Sequence, residues 1–136
     1  ASLPAVAQEE MVEAVVMLTE AAAQGHMMAQ AYLGDIYIFA NGVAQDEGRA
    51  FVLYRQAAQQ GHASSQYNLG VMYRDGQGCE QSHERAAEWY ARAAEQGDAA
   101  AQLNLGNAYK DGRGVPQSYE RTVELFKLSE AQGHAK

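Results

Sequence analysis

Apolar residues in the middle of the chain fall into two short runs with the same rhythm. Ser65, Leu69, Met72 and Tyr73 return at intervals of three and four, and Ala86, Trp89, Tyr90, Ala93 and Ala94 do the same after a break. Glu84, Arg85, Glu88, Arg92 and Glu95 fill the opposite side of the second run. This spacing lines one face of an α-helix. It predicts a pair of amphipathic helices, here termed A and B. Alanine-rich segments with few β-branched residues favour helix by propensity. No stretch alternates apolar and polar for long enough to make a strand, so propellers and leucine-rich repeats are excluded.

The pair is repeated. Gly34, Gly70 and Gly106 lie 36 residues apart, and so do Gln30, Gln66 and Gln102, Leu33, Leu69 and Leu105, and Tyr37, Tyr73 and Tyr109. Gln45, Gln81 and Gln117 keep the same period, as do Arg49, Arg85 and Arg121. Of 13 glycines only Gly48 lies off a repeat-equivalent position. A helical unit recurring at this period signals a solenoid, in which each copy buries its apolar face against its neighbours. The expected fold is all-α, an α/α superhelical solenoid of antiparallel helix pairs. Its units are a leading B helix at 9–25 and repeats at 28–61, 64–97 and 100–133, together one domain.

The junctions carry their own signals. Helix A of the central copy is expected to stop at Asp75-Gly76-Gln77-Gly78, where glycine tolerates positive φ. Helix B is expected to start at Ser82, with Asp46 and Ser118 as counterparts, because a short oxygen-bearing side chain accepts a bond from a free backbone N–H. Glu84 and Glu120 then lie near the positive end of the helix dipole. Only about three residues separate helix B from the next helix A, and so short a turn forces antiparallel packing. Gly70, inside helix A, is expected to let helix B approach where a Cβ would clash.

The string A-Q-x-N-L-G-x-x-Y-x-x-G-x-G-V-x-Q-[DS]-x-x-x-A-x-x-[WF]-Y-x-x-A-A-x-x-G resembles the repeat of the Sel-one-like family, longer-looped relatives of tetratricopeptide repeats. The third copy matches it with Asn104, Leu105, Gly106, Tyr109, Gly112, Gly114, Val115 and Gln117. The first departs from it with Tyr32 in place of asparagine and Ala40 in place of a loop glycine. The resemblance implies a superhelix whose A helices line a concave surface, and a role as adaptor or scaffold. A cysteine-rich branch of the family joins its helices with a cysteine pair in each repeat. Those pairs are absent, so the penicillin-binding activity associated with that branch is not transferred.

The ends fit the same scheme less completely. Residues 1–8 carry no helical pattern and are expected to be a frayed lead-in. Residues 10–24 form half a repeat without its A partner. Ala5-Val6-Ala7 has the small-x-small look of a signal cleavage site, although eight residues cannot hold a charged start and an apolar stretch. The missing initial methionine favours a bacterial periplasmic or secreted location over a cytoplasmic one. Neither end has an obvious polar cap, which predicts either a segment of a longer array or end-to-end self-association.

Charge and side-chain chemistry narrow the function. The formal charge is −7, which argues against nucleic acid as a partner. No run approaches the roughly 20 apolar residues of a membrane span. Cys79 is the one cysteine, and it occupies the slot of Val43 and Val115, as a small loop hydrophobe would. His26, His62 and His134 share one repeat position, filled by Asp98 in the third turn. Metal ligands must converge to about 2 Å from one ion, whereas stacked helices stand about 8 to 10 Å apart, so these read as polar turn residues. His83 falls on the exposed start of helix B. No serine, histidine and carboxylate share a repeat position or a loop. No catalytic residue, metal site or cofactor is expected.

What remains is recognition. Residues filled alike three times are scaffold; helix A positions that vary are expected to face the hollow. The candidate partner-binding residues are Tyr32, Asp35 and Phe39 in the first copy, Asn68, Val71 and Arg74 in the second, and Asn104, Asn107 and Lys110 in the third. Tyr32 and Phe39, beside Ile38 and Asp35, offer an anchor site for one apolar side chain. The asparagines both donate and accept, which suits the backbone of an extended peptide. Asn68 and Asn104 are open to a second reading, as braces of the fold. Arg74 and Lys110 share a position, yet Asp75 and Asp111 follow them and can neutralise them, which puts an acidic tail second to a neutral or basic segment. The expected function is a non-catalytic protein-protein interaction scaffold binding a peptide or protein segment. Its alternatives are a structural spacer in a longer array and, more weakly, an enzyme of the cysteine-rich branch.

Overall fold

The computed structural model describes residues 4–39 and 45–134. Among them are seven α-helices and no strand: α1 (Ala5–Ala23), α2 (Met27–Phe39), α3 (Glu47–Gln59), α4 (Ala63–Asp75), α5 (His83–Glu95), α6 (Ala99–Asp111) and α7 (Tyr119–His134). Helices α2, α4 and α6 are the A helices; α3, α5 and α7 are the B helices. Each packs chiefly on its sequence neighbours, so the pairs stack into a solenoid. The loop positions Ala40 and Val43 lie outside the described residues.

One boundary differs from expectation. Helix α1 begins at Ala5 and takes in residues assigned to a frayed lead-in. The amide of Gln8 donates to the Pro4 carbonyl at 2.9 Å, and proline immediately before a helix has φ already set for it. The apolar pattern does not mark this turn because its residues are exposed or half-buried.

The repeated leucines form the spine of the core. Leu33, Leu69 and Leu105 are all buried, each contributing roughly 1.5 to 3 kcal/mol. Leu69 and Leu105 join Phe51, Tyr54, Met72, Tyr73, Ala87, Tyr90 and neighbouring alanines in one cluster, while Leu33 packs with Ala22 and Ala29. Between A and B, glycine makes a seat for a ring. A Cβ on Gly70 would stand 2.7 Å from Cδ1 and Cε1 of Tyr90, one on Gly34 2.9 Å from Tyr54, and one on Gly106 2.7 Å from Phe126. The clash anticipated at Gly70 is therefore foremost with an aromatic ring of helix B, with the backbone carbonyl of Ala86 next at 3.3 Å.

The joints explain most of the remaining periodic residues. At the end of α3, Gly61 (φ +99°) donates to Ala58 and His62 donates to Ala57, the paired bonds of a Schellman motif. His62 then caps α4, its Nδ1 accepting from the Ser65 amide at 3.3 Å. Asp98 does the same for α6 through the Ala101 amide at 2.8 Å. The turn histidine is thus a helix cap, a role its spacing alone did not reveal. At the B helices, Asp46, Ser82 and Ser118 accept from the amides of Arg49, Arg85 and Arg121. In the loops, Gln45, Gln81 and Gln117 donate to the carbonyls of Ile38, Arg74 and Lys110, which sit near the unsatisfied ends of the A helices.

Two further ladders run along the solenoid, one joining copy to copy and one joining the two helices within each copy. Gln30, Gln66 and Gln102, all buried, donate to the carbonyls of Ala22, Ala58 and Ala94 in the preceding B helix. Each also accepts from a second glutamine at the end of its own B helix: Gln60 to Gln30 at 2.6 Å, Gln96 to Gln66 at 2.8 Å and Gln132 to Gln102 at 2.8 Å. The repeated arginines lie over the repeated tyrosines, with Arg49, Arg85 and Arg121 at 5.5, 5.9 and 5.4 Å from the ring centres of Tyr37, Tyr73 and Tyr109. These are cation–π distances. Gly78 and Gly114 press the A–B loops onto the preceding repeat: a Cβ there would fall 2.3 Å from the Glu47 carbonyl oxygen or 2.1 Å from that of His83. Cys79 packs against the core, Sγ 3.6 Å from the Met72 carbonyl. Burial raises its pKa, which disfavours the reactive thiolate.

Candidate functional site

The variable A-helix positions divide into three groups once their partners are known. Tyr32 and Phe39 are free and largely exposed, 54% and 68%, and Lys110 is exposed in the last turn of α6. Asp35 and Asn104 are engaged within the fold. Asp35 accepts a short hydrogen bond from the Tyr54 hydroxyl. Asn104 Nδ2 donates to the Tyr67 hydroxyl at 3.1 Å, linking α6 to α4, so the bracing reading applies to it. Val71 is half-buried against the core, and Asn68 is half-buried on α4. Arg74 makes two bonds to Asp75, at 2.9 and 3.1 Å. This is the local neutralisation expected from their adjacency; it raises the pKa of Arg74 and lowers that of Asp75.

Arg74, Asn104 and Asn107 converge. They line a cavity of about 140 Å³ where α4 and α6 flank α5, together with His83, Ala86, Ala87, Tyr90, Ala108, Asp111 and Arg113. The volume resembles that of an engineered cavity of about 150 Å³ that takes up one benzene, so it suits a single side chain. The walls here mix polar and apolar groups. Lys110 and the Tyr32/Phe39 pair are not part of it. His83, Tyr90 and Arg113 were not among the sequence candidates, because two of them lie on a B helix and one in a loop.

Ala87 helps to account for the space. Its counterpart in repeat 1 is Phe51, which packs edge-to-face on Tyr73 with ring centres 5.3 Å apart. A methyl in place of that ring leaves room between copies. At the floor stands Tyr90, only 3% exposed. Its hydroxyl is buried and has no hydrogen-bond partner among the described residues. Burial pushes its pKa up to about 12, while the Arg74 charge pulls the other way. In repeat 1 the equivalent Tyr54 is satisfied by Asp35; in repeat 2 the place of Asp35 is taken by Val71, which accepts nothing.

Comparison with known proteins places this geometry in context. The Sel1 repeat model matches residues 28–62, 63–98 and 99–134. A protective antigen of uropathogenic Escherichia coli with an SLR fold superposes with a TM-score of 0.83 at 37% identity, covering 85% of this chain and 25% of that one. A Sel1 repeat protein from Oxalobacter formigenes gives 0.79 at 32% identity, covering 90% and 49%. The chain thus spans a quarter to a half of these relatives. The cysteine rich protein B of Helicobacter pylori shares the fold, with a TM-score of 0.71, 19% identity and coverage of 93% and 90%. No curated protein sequence matches. Three consecutive matches over most of the chain, on a solenoid whose periodic residues build the helix pairs and the joints between them, show that the chain belongs to the Sel1 repeat family.

Proposed function

We propose that this chain is a protein-interaction scaffold and that the face shared by α2, α4 and α6 receives an extended segment of a partner. Family membership supports the general role, since Sel1 repeats commonly act as protein-interaction scaffolds. The observation that carries the finer reading is a division of labour along the A helices. Residues that repeat are buried or bonded across the joints, whereas Tyr32, Phe39 and Leu103 leave large apolar surface exposed and Asn107 lines a cavity between copies. Exposed aromatics beside polar groups are the composition of binding hot spots. Tyr32 and Phe39 serve as apolar anchors at one end, and the amides near Asn107 meet a peptide backbone at the other.

The test is selection of a displayed random-peptide library on the protein. The variant carrying both Phe39→Ala and Asn107→Ala is expected to bind the selected peptides at least tenfold more weakly, with circular dichroism and melting unchanged. Undiminished binding by that variant would show that another face is used.

A second reading, a link in a longer array or end-to-end assembly, has its own observation. Val123 on α7 is 50% exposed, whereas its counterparts Phe51 and Ala87 are buried beneath the next A helix. That reading predicts that Val123→Asp weakens self-association in light scattering and leaves peptide capture intact.

A further inference from the structure

The cavity between repeats 2 and 3 has an unmet chemical demand, and the molecule itself shows what meets it. Tyr54 and Tyr90 occupy equivalent places, each with its ring seated on an A-helix glycine. Tyr54 donates to the carboxylate of Asp35. Repeat 2 carries Val71 in the place of Asp35, and the buried Tyr90 hydroxyl finds no acceptor among the described residues. In repeat 3 the hydroxyl itself is gone, since the equivalent residue is Phe126. A buried donor without an acceptor costs free energy, and this one lies in the wall of a cavity sized for one side chain.

From this juxtaposition we propose that the cavity is a carboxylate subsite, in which an aspartate or glutamate side chain of the bound segment takes the place that Asp35 holds in repeat 1. The other wall groups fit that charge. Arg74 and Arg113 supply guanidinium groups, and Asn107 and His83 supply hydrogen-bonding groups, against the single carboxylate of Asp111. Arg74 stands close to the Tyr90 hydroxyl, and a guanidinium can only donate to that oxygen, so the hydroxyl proton still lacks an acceptor. Arg74 is itself held by Asp75 in an exposed pair, which contributes little stability. It is therefore free to exchange one carboxylate for another. The acidic side chain adds a specific charge-assisted contact within a segment that is otherwise neutral or basic, in keeping with the formal charge of −7.

This subsite rests on the reading of the A-helix face as a peptide-binding surface, and two substitutions taken from the protein's own repeats separate the two ideas. Tyr90→Phe copies repeat 3 and removes the donor; Val71→Asp copies repeat 1 and satisfies the donor internally. The experiment is nuclear magnetic resonance titration of the whole chain with capped Ala-Asp-Ala and Ala-Glu-Ala, with Ala-Asn-Ala and Ala-Gln-Ala as neutral controls and inorganic phosphate as an anion control. The acidic peptides are expected to shift the amides of Arg74, Tyr90 and Asn107 saturably, and binding is expected to weaken about tenfold in each variant. Equal binding of acidic and amide peptides would overturn the subsite and leave the peptide-binding face standing. Equal shifts with phosphate, or undiminished binding by Tyr90→Phe, would overturn it as well. An absence of shifts at these amides with every peptide would overturn both.

Discussion

The ring of Tyr90 rests directly on Gly70, with Cδ1 and Cε1 only 2.7 Å from where a Cβ would stand. Helix A and helix B are held at a distance that no side chain larger than hydrogen allows. Gly70→Ala is therefore expected to destabilise the fold by about 1 to 3 kcal/mol through overpacking, read from urea denaturation. Gly48→Ala is the counterpart. Gly48 lies in α3, exposed, and a Cβ there meets nothing closer than Asp46 Oδ1 at 3.5 Å, so a gain of up to about 1 kcal/mol is expected. Equal effects of the two substitutions would refute the seat.

The glutamine ladder makes a second prediction. Gln66→Ala removes an acceptor from Gln96 and a donor from the Ala58 carbonyl, leaving buried groups unpaired at a cost of about 1 to 3 kcal/mol. Gln96→Ala removes one outer contact and is expected to cost less. A double-mutant cycle measures the coupling, and strict additivity of the two losses would mean that the amides do not act together.

His62 and Asp98 serve the same joint. His62→Ala is expected to cost about 1 kcal/mol, as loss of an N-cap does, whereas His62→Asp retains the cap and adds a charge suited to the helix start. Thermal melting of both variants decides it: a melting temperature for His62→Asp as low as that for His62→Ala would rule out the capping role.

Tyr54 and Tyr90, both buried, differ in a way that alkaline titration exposes. Tyr54→Phe loses the bond to Asp35 and is expected to destabilise, while Tyr90→Phe removes an unpaired hydroxyl and is expected to be neutral or stabilising. Burial holds both pKa values above the ordinary 10, that of Tyr90 at about 12. A raised folded pKa means that the folded state keeps its proton where the unfolded chain has lost it. The associated stability is whole below pH 10 and falls as pH rises through the folded pKa. Denaturation midpoints are expected to drop between pH 10 and 12, less so in the Tyr90→Phe variant, and a flat profile there would contradict the burial.

Much of this architecture was legible in the chain, because a repeat states its own scaffold. The 36-residue spacing of Leu69, Gly70 and Tyr73 led to helix pairs, and Ser82, Asp46 and Ser118 were read correctly as caps. The periodic glutamines and arginines were visible, but not what they touch. Gln24, Gln60, Gln96 and Gln132 also recur at this spacing, a signal that would have exposed the ladder had the two columns been paired. Candidate groove residues were harder. Exposure on an A helix cannot be told from engagement with a neighbouring helix by variability alone, so nothing in the sequence marks Asp35 as bonded to Tyr54, and Asn104 stays open between groove and brace. Tyr90 was hidden for the opposite reason: it sits in a column of core aromatics, and only its mismatch with Val71 singles it out.

The joint at His62 carries a consequence for how such a molecule can change. One residue there ends the Schellman turn of α3 and caps α4, so the hinge has no spare link. An inserted residue would rotate everything downstream by about 100° about the helix axis, tearing the bond from Gln66 to the Ala58 carbonyl that spans this joint, while the arginine stacks, each inside one copy, would move as units.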